Sequence, residues 1–134
     1  MSHRENILKC DRSYGFDEIF LSLKKYMKGI LPSKSEVLDI FGKIMINSFF
    51  IVDENEKFIG KGLYLGASIM DHSCTPNAVW ISKGKELIIR CISKEKIENI
   101  SDLRISYIPN LYESTERRKE LLMEDYYFLC QCSR

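Results

Sequence analysis

Residues 70–77, which read MDHSCTPN, place histidine, serine and cysteine side by side. These residue types act as general base and nucleophile in many enzymes. Neighbouring side chains on an extended chain point in opposite directions, however, so adjacent residues such as His72, Ser73 and Cys74 rarely form a triad with one another. A structural histidine therefore remains the alternative to a catalytic one.

A second group of reactive side chains is the pair Cys130 and Cys132 near the end of the chain. Closely spaced thiolates are candidates for joint ligation of zinc, which favours tetrahedral sulfur sites. Two ligands do not complete a tetrahedron, so a pair of reduced cysteines without metal is the alternative. The sequence has five cysteines and begins with charged residues rather than a secretory signal. This favours thiols or metal ligands over disulfides.

The composition is typical of a globular domain, with 134 residues, 45% of them hydrophobic and 29% charged. The 20 basic and 19 acidic residues nearly balance, which argues against binding to nucleic acid or to an anionic membrane. No apolar run is long enough to span a bilayer.

Two helices are predicted between residues 13 and 48. Asp17 is the predicted cap of the first helix, which ends near Gly29. Ser33 and Glu36 have capping-box spacing at the start of the second. Apolar residues at helical spacing in the second helix are predicted to face a core. They are Val37, Ile40, Phe41, Ile44 and Met45.

Short strands are predicted in the following part of the chain, at residues 49–52, 58–65, 78–81, 86–92 and 103–107. Gly60 and Gly62 indicate a bulge or a close backbone approach, and Gly84 indicates a hairpin turn. We expect Cys91 to be a buried strand residue. A charged helix at 113–127 follows, so the order of elements predicts an α+β fold.

Read together, these motifs resemble the C-terminal half of a SET domain, most closely that of the SET-and-MYND lysine methyltransferases. The matching features are HSC-x-PN at 72–77, the strand at 103–107, an Arg-Arg helix, and the tail YYFLCQC at 126–132. The resemblance implies a helical insert over residues 1–48, a SET core over 49–127 and the beginning of a post-SET segment over 128–134. The implied fold contains short twisted sheets and a knot-like C-terminal segment.

The resemblance implies transfer of a methyl group from S-adenosylmethionine to a lysine of a histone or another protein. The catalytic residues would be Tyr107 and Tyr126, which line a methyl-transfer pore. Phe49 would form a wall of the lysine channel together with both tyrosines. The residues expected to contact the cofactor are Asn47, Asp71, His72 (through its backbone), Tyr107 and Phe128. Cys74, Cys130 and Cys132 match three of the four ligands of a structural zinc site, and Cys10 matches nothing.

The sequence departs from the family pattern in ways that suggest a partial or divergent chain. The family's glycine-rich cofactor strand, its MYND module and a fourth zinc cysteine are missing, and residues 99–103 replace its usual Gly-Glu-Glu-Leu approach to the catalytic strand. Asp71 replaces an asparagine, and its carboxylate would repel the carboxylate of the cofactor. A non-catalytic interaction module that keeps the SET scaffold is therefore the alternative function. We expect a monomer that acts in the cytoplasm and nucleus on protein substrates, without nucleic acid or membrane.

Overall fold

The computed structural model describes residues 12–134, and Cys10 lies outside this range. The described residues divide into two compact units, one ending at Ile46 and the other running from Asn47 to Arg134. Helices, short two-stranded sheets and a final helix follow one another along the chain, which confirms the predicted α+β class. Within the described part, no helix is long and apolar enough to cross a membrane.

Helix α1 (Arg12–Tyr26) and helix α2 (Lys34–Asn47) account for the first unit. The prediction that Asp17 caps α1 is wrong, because the helix begins at Arg12 and Asp17 instead pairs with Lys34 at 2.8 Å. The capping box of α2 is confirmed. The Ser33 backbone N–H donates to Glu36 Oε2 at 2.8 Å, and the Glu36 N–H donates to Ser33 Oγ at 3.3 Å.

The core of this unit uses only part of the predicted apolar stripe of α2. Val37 is buried and Phe41 packs against the core, whereas Ile40 and Ile44 are 50% and 41% exposed. The buried centre, formed by both helices, consists of Phe16, Phe20, Val37 and Leu38. Among the described residues of this unit, α1 packs on α2 and covers only part of its apolar face, so periodicity alone overestimates the buried stripe.

Six strands form three two-stranded sheets in the second unit. The first antiparallel pair joins β1 (Ser48–Val52) to β2 (Phe58–Leu63), and the second joins β4 (Ala78–Lys83) to β5 (Glu86–Cys91). A parallel pair joins β3 (Asp71–His72) to β6 (Arg104–Ile105). Helix α3 (Thr115–Tyr126) follows and is capped by Ser114, whose side chain accepts from the Arg117 N–H. The chain then continues without regular structure to Arg134.

Three glycines lie at the irregular or tight backbone positions that the sequence predicts, namely Gly60, Gly62 and Gly84. The β1–β2 register shifts near Gly60, where Ile59 has no partner opposite it. A Cβ on Gly62 would meet the Tyr64 ring at 2.6 Å, so only glycine allows this close approach. Gly84 adopts a φ of +57° in the two-residue turn between β4 and β5, a conformation that glycine reaches without steric cost.

Cys91 is a strand residue as predicted, at the end of β5, but the prediction that it is buried is wrong, because its side chain is exposed. The partial burial of alternate residues along β5 does not extend to Cys91.

Leu122 of α3 is completely buried in the apolar cluster that joins the helix to the tail. We expect Leu122→Ala to lower the free energy of unfolding by about 2–5 kcal/mol, because it leaves a cavity in a packed site. Leu65→Ala is the matched control, since Leu65 is 74% exposed. Chemical denaturation of both variants checks this, and equal stability of the two would contradict the packing.

Candidate active site and metal centre

The short parallel pair β3–β6 sets the position of the HSC segment. Asn77 ties the end of the motif to β6 and to the residues before it, because the Arg104 N–H donates to Asn77 Oδ1 at 2.6 Å and the Asn77 amide donates to the Asp102 carbonyl at 2.9 Å. The Ser73 N–H donates to the Ile105 carbonyl at 2.9 Å. The sequence places Asn77 in the motif but does not indicate its role. In the structure its side chain connects the motif to the β6 region.

Four aromatic rings meet beside this pair. The Tyr107 ring lies with its centroid 4.8 Å from that of Tyr126, 5.4 Å from that of His72 and 6.3 Å from that of Phe128. His72 and Phe128 are also neighbours, at 6.0 Å between centroids. The structure therefore brings together four residues, from three separate segments, that the sequence had assigned to the pore or the cofactor.

Both tyrosine hydroxyls in this cluster donate to backbone carbonyls. The Tyr107 hydroxyl donates to the Met70 carbonyl at 2.6 Å, and the Tyr126 hydroxyl donates to the Tyr107 carbonyl at 3.0 Å. Each phenol has one proton, so each oxygen then presents only lone pairs to a further partner. Burial, followed by the Asp71 charge, raises the pKa of Tyr107 to about 12, so the phenol is neutral at physiological pH.

The structure gives the following contacts for the other predicted site residues. Phe49 packs edge-on against Tyr64 and Trp80, in the apolar cluster against which Tyr107 also packs. The Asn47 carbonyl accepts from the Ser68 hydroxyl at 2.9 Å. The Asp71 side chain is 78% exposed and lies 3.9 Å from the Arg104 guanidinium.

The three predicted zinc cysteines come together in one place. Cys74 Sγ lies 3.7 Å from Cys130 Sγ, and Cys130 Sγ lies 2.8 Å from Cys132 Sγ. His72 Nε2 is 3.3 Å from Cys74 Sγ, and all four donor atoms lie within 4.8 Å of one another. A His/Cys cluster of this size is able to hold a metal ion.

The donor set fits zinc. Zinc–sulfur bonds of about 2.3 Å imply sulfur–sulfur separations of about 3.8 Å in a tetrahedron, which the Cys74–Cys130 pair already matches. The Cys130 and Cys132 sulfurs would have to separate by about 1 Å, a change that side-chain rotation can supply. When bound, zinc would supply structural cross-linking between the HSC segment and the tail.

The thiols in this cluster have different proton affinities. Burial, followed by the Cys132 contact, raises the pKa of Cys130 to about 11. Burial also acts to raise the pKa of Cys132, but hydrogen bonds from Cys130, the Cys74 backbone and Ser73 outweigh it and lower that pKa. Burial, helped by the Arg118 charge, lowers the pKa of His72 to about 4, so its imidazole is neutral at pH 7.

The tail reaches the cysteine cluster because α3 ends in a left-handed turn. Tyr127 has a φ of +61°, and its N–H donates to the Met123 carbonyl at 3.2 Å. The buried Arg118 guanidinium then donates to the Glu113 carbonyl and, at 3.3 Å, to the Arg134 carbonyl. The Arg134 guanidinium in turn donates to the Cys74 carbonyl at 3.3 Å. The second arginine of the Arg-Arg helix therefore anchors the tail, a role that the sequence did not indicate.

Several known proteins are similar in sequence to this chain. Histone-lysine N-methyltransferase SMYD3 of Mus musculus is 32% identical over 130 residues, which is 92% of this chain and 30% of that protein. N-lysine methyltransferase SMYD2 of Mus musculus is 32% identical over 81% of this chain and 24% of its own length. Histone-lysine N-methyltransferase ASHR1 of Arabidopsis thaliana is 36% identical over 74% of this chain and 20% of its own length.

The chain spans about a third or less of the length of these relatives. No family model matches it. The identity nevertheless extends across most of the chain, and the fold class agrees with the resemblance. This chain is therefore a homologue of a segment of the SET-and-MYND lysine methyltransferases.

Proposed function

We propose that this chain is part of the catalytic domain of an S-adenosylmethionine-dependent protein-lysine methyltransferase. The observation that carries the proposal is the cluster of four rings that includes Tyr107, in which both tyrosine hydroxyls donate to backbone carbonyls. The names of the relatives, which describe histone-lysine and N-lysine methyltransferases, support the same reaction class.

The proposed reaction transfers a methyl group from a sulfonium to a neutral lysine amine. A nitrogen–carbon bond forms while the sulfur–carbon bond breaks, and the electron pair of that bond returns to sulfur. The methylated ammonium then gives up a proton to regain a neutral amine. The protein has to align the two partners and surround them with groups matched to a dispersing positive charge.

The residues of the ring cluster are suited to these tasks. Aromatic faces and oxygen lone pairs attract cations, and Tyr107 and Tyr126 offer both. Because the hydroxyl protons are committed to the Met70 and Tyr107 carbonyls, the phenol oxygens are able to accept an amine N–H. Phe128 would then lie at the cofactor side of the cluster, with Phe49 in the wall of the lysine channel.

Binding of the methyl donor tests this proposal against the alternative, a SET-scaffold interaction module. The exposed carboxylate of Asp71, close enough to raise the Tyr107 pKa, is the feature that favours the alternative. Calorimetric titration of S-adenosylmethionine into the complete gene product should give saturable binding at one site. Failure to bind would favour the interaction module.

Asp71 itself provides a sharper test. If its carboxylate faces that of the cofactor, Asp71→Asn should tighten binding of S-adenosylmethionine by a few-fold, because an exposed repulsive pair is worth about 0.5–1 kcal/mol. Glu86→Gln on the β4–β5 hairpin is the control for a lost surface charge. Equal affinity of the Asp71→Asn variant and the unmodified protein would mean that this carboxylate points away from the cofactor.

A further inference from the structure

Four donor atoms lie close enough to share a metal ion, yet they are not chemically equivalent. We infer that His72 is not the fourth zinc ligand but a hydrogen-bond bridge between the metal-binding sulfur of Cys74 and the backbone of Tyr107. The inference rests on the proposed zinc site and assigns the His72 side chain the role of a positioning residue.

The hydrogen bond at the other side of the imidazole ring determines what Nε2 can do. The Tyr107 backbone N–H points at His72 Nδ1 with an N–N distance of 3.1 Å. An amide N–H only donates, so Nδ1 must be the unprotonated nitrogen that accepts. A neutral imidazole then carries its proton on Nε2, where no lone pair remains for a metal.

Ligation through Nε2 would require the opposite tautomer. Histidines that bind a metal through one nitrogen donate from the other to a carboxylate, a carbonyl or water. Here the group facing Nδ1 is itself a donor, so a proton on Nδ1 would place two N–H groups head to head. The structure therefore favours donation from the His72 Nε2–H to Cys74 Sγ, across the observed 3.3 Å.

The other two sulfurs show the same pattern. The Cys74 backbone N–H donates to Cys132 Sγ at 3.3 Å, and the Cys132 N–H donates to Cys130 Sγ at 3.3 Å. With His72 as donor, each of the three sulfurs accepts one N–H at the same distance. Donors of this kind stabilise thiolates, the form in which cysteine binds zinc. The fourth coordination position then falls to water or to a donor outside these four.

The bridge connects metal occupancy to the residue proposed to act in catalysis. Three hydrogen bonds hold Tyr107 in place. Its backbone N–H donates to His72 Nδ1, its backbone carbonyl accepts from the Tyr126 hydroxyl, and its own hydroxyl donates to the Met70 carbonyl. Zinc binds cysteine as the thiolate, so bound zinc would place a charged sulfur, which is a strong acceptor, opposite His72 Nε2. The hydrogen bond from His72 Nε2–H to Cys74 Sγ then becomes stronger. Through the imidazole ring, this changes the hydrogen bond that the Tyr107 N–H donates to Nδ1.

Nitrogen-15 NMR on the zinc-loaded chain tests the inference without any measurement of activity. The sequence has two histidines, His3 and His72, so a His3→Gln variant assigns the signals. We expect His72 Nε2 to be protonated and Nδ1 unprotonated, and the Tyr107 amide signal to shift between the metal-free and zinc-loaded forms. A protonated Nδ1 with a metal-bound Nε2 would overturn the inference while leaving the zinc site intact.

A substitution separates a bridge from a ligand independently. His72→Leu should still bind one zinc per chain, with affinity reduced by about 10–100-fold, as for loss of other groups that support ligands. In that variant the NMR signal of the Tyr107 amide should no longer shift when zinc is added. A shift as large as in the unmodified protein would overturn the inference that His72 is a bridge. Failure of the unmodified chain to bind zinc would overturn it as well. Neither result depends on methyl transfer, so the proposed reaction is judged separately.

Discussion

Tyr107→Phe is expected to lower the rate of methyl transfer by about 10²–10³ in the complete gene product. The substitution removes one preorganised oxygen from the centre of the ring cluster, and losses of this size are typical for such groups. The ring and its contacts with Tyr126 and Phe128 stay in place. Binding of S-adenosylmethionine should therefore change little, and initial rates at saturating donor measure the loss.

Stability must be measured alongside the rate, because the Tyr107 hydroxyl also bonds the carbonyl of the buried Met70. Loss of that hydrogen bond should cost about 1 kcal/mol in a thermal or chemical melt. Tyr64→Phe is the matched control, since the Tyr64 hydroxyl donates to the Lys85 carbonyl at 2.8 Å outside the ring cluster. Near-normal turnover in Tyr107→Phe would remove this residue from the mechanism and favour the interaction module.

The second large effect concerns the metal. Cys74→Ser should reduce zinc content from one per chain to nearly none, because it removes the ligand that joins the HSC segment to the tail. Structural zinc in small domains contributes on the order of 10 kcal/mol of apparent binding energy, so the tail should also lose protection from proteolysis. Elemental analysis of protein purified without chelator gives the metal content.

Cys91→Ser is the control, since this cysteine is exposed on β5 and lies outside the cluster. It should retain both zinc and tail protection. Equal zinc content in the Cys74→Ser and Cys91→Ser variants would show that the three cysteines do not form the site, whatever their proximity in the structure.

Local patterns predicted most of the elements, and the family motifs predicted which side chains lie together, but neither predicted how the side chains are used. Ser33 and Glu36 form their capping box because the interaction is local, whereas Asp17 was misassigned because other residues extend α1 before it. Tyr107 and Tyr126 meet as the motif order implied. The bonds of His72 to Tyr107 could not be predicted, because these residues are 35 positions apart and either ring nitrogen can be donor or acceptor.

Burial was the least predictable property. Ile40 and Ile44 have core spacing but remain exposed, and Cys91 is exposed although it lies in a strand. Conversely, Arg118 is charged yet only 5% exposed, because the Glu113 and Arg134 carbonyls accept its guanidinium. Which face is covered depends on tertiary neighbours, and a periodic pattern carries no information about their identity.

Methyl transfer to lysine is the most direct test of the proposed function. The complete gene product would be incubated with S-adenosylmethionine carrying an isotopically labelled methyl group and with core histones as protein substrate. Mass spectrometry would then locate the label. We expect label on lysine nitrogen and one molecule of S-adenosylhomocysteine released per methyl group transferred. In the Tyr107→Phe variant, we expect the yield of both products to fall nearly to zero. Saturable binding of the donor without any labelled lysine, on histones or on a broad panel of lysine-containing proteins, would contradict the proposed function.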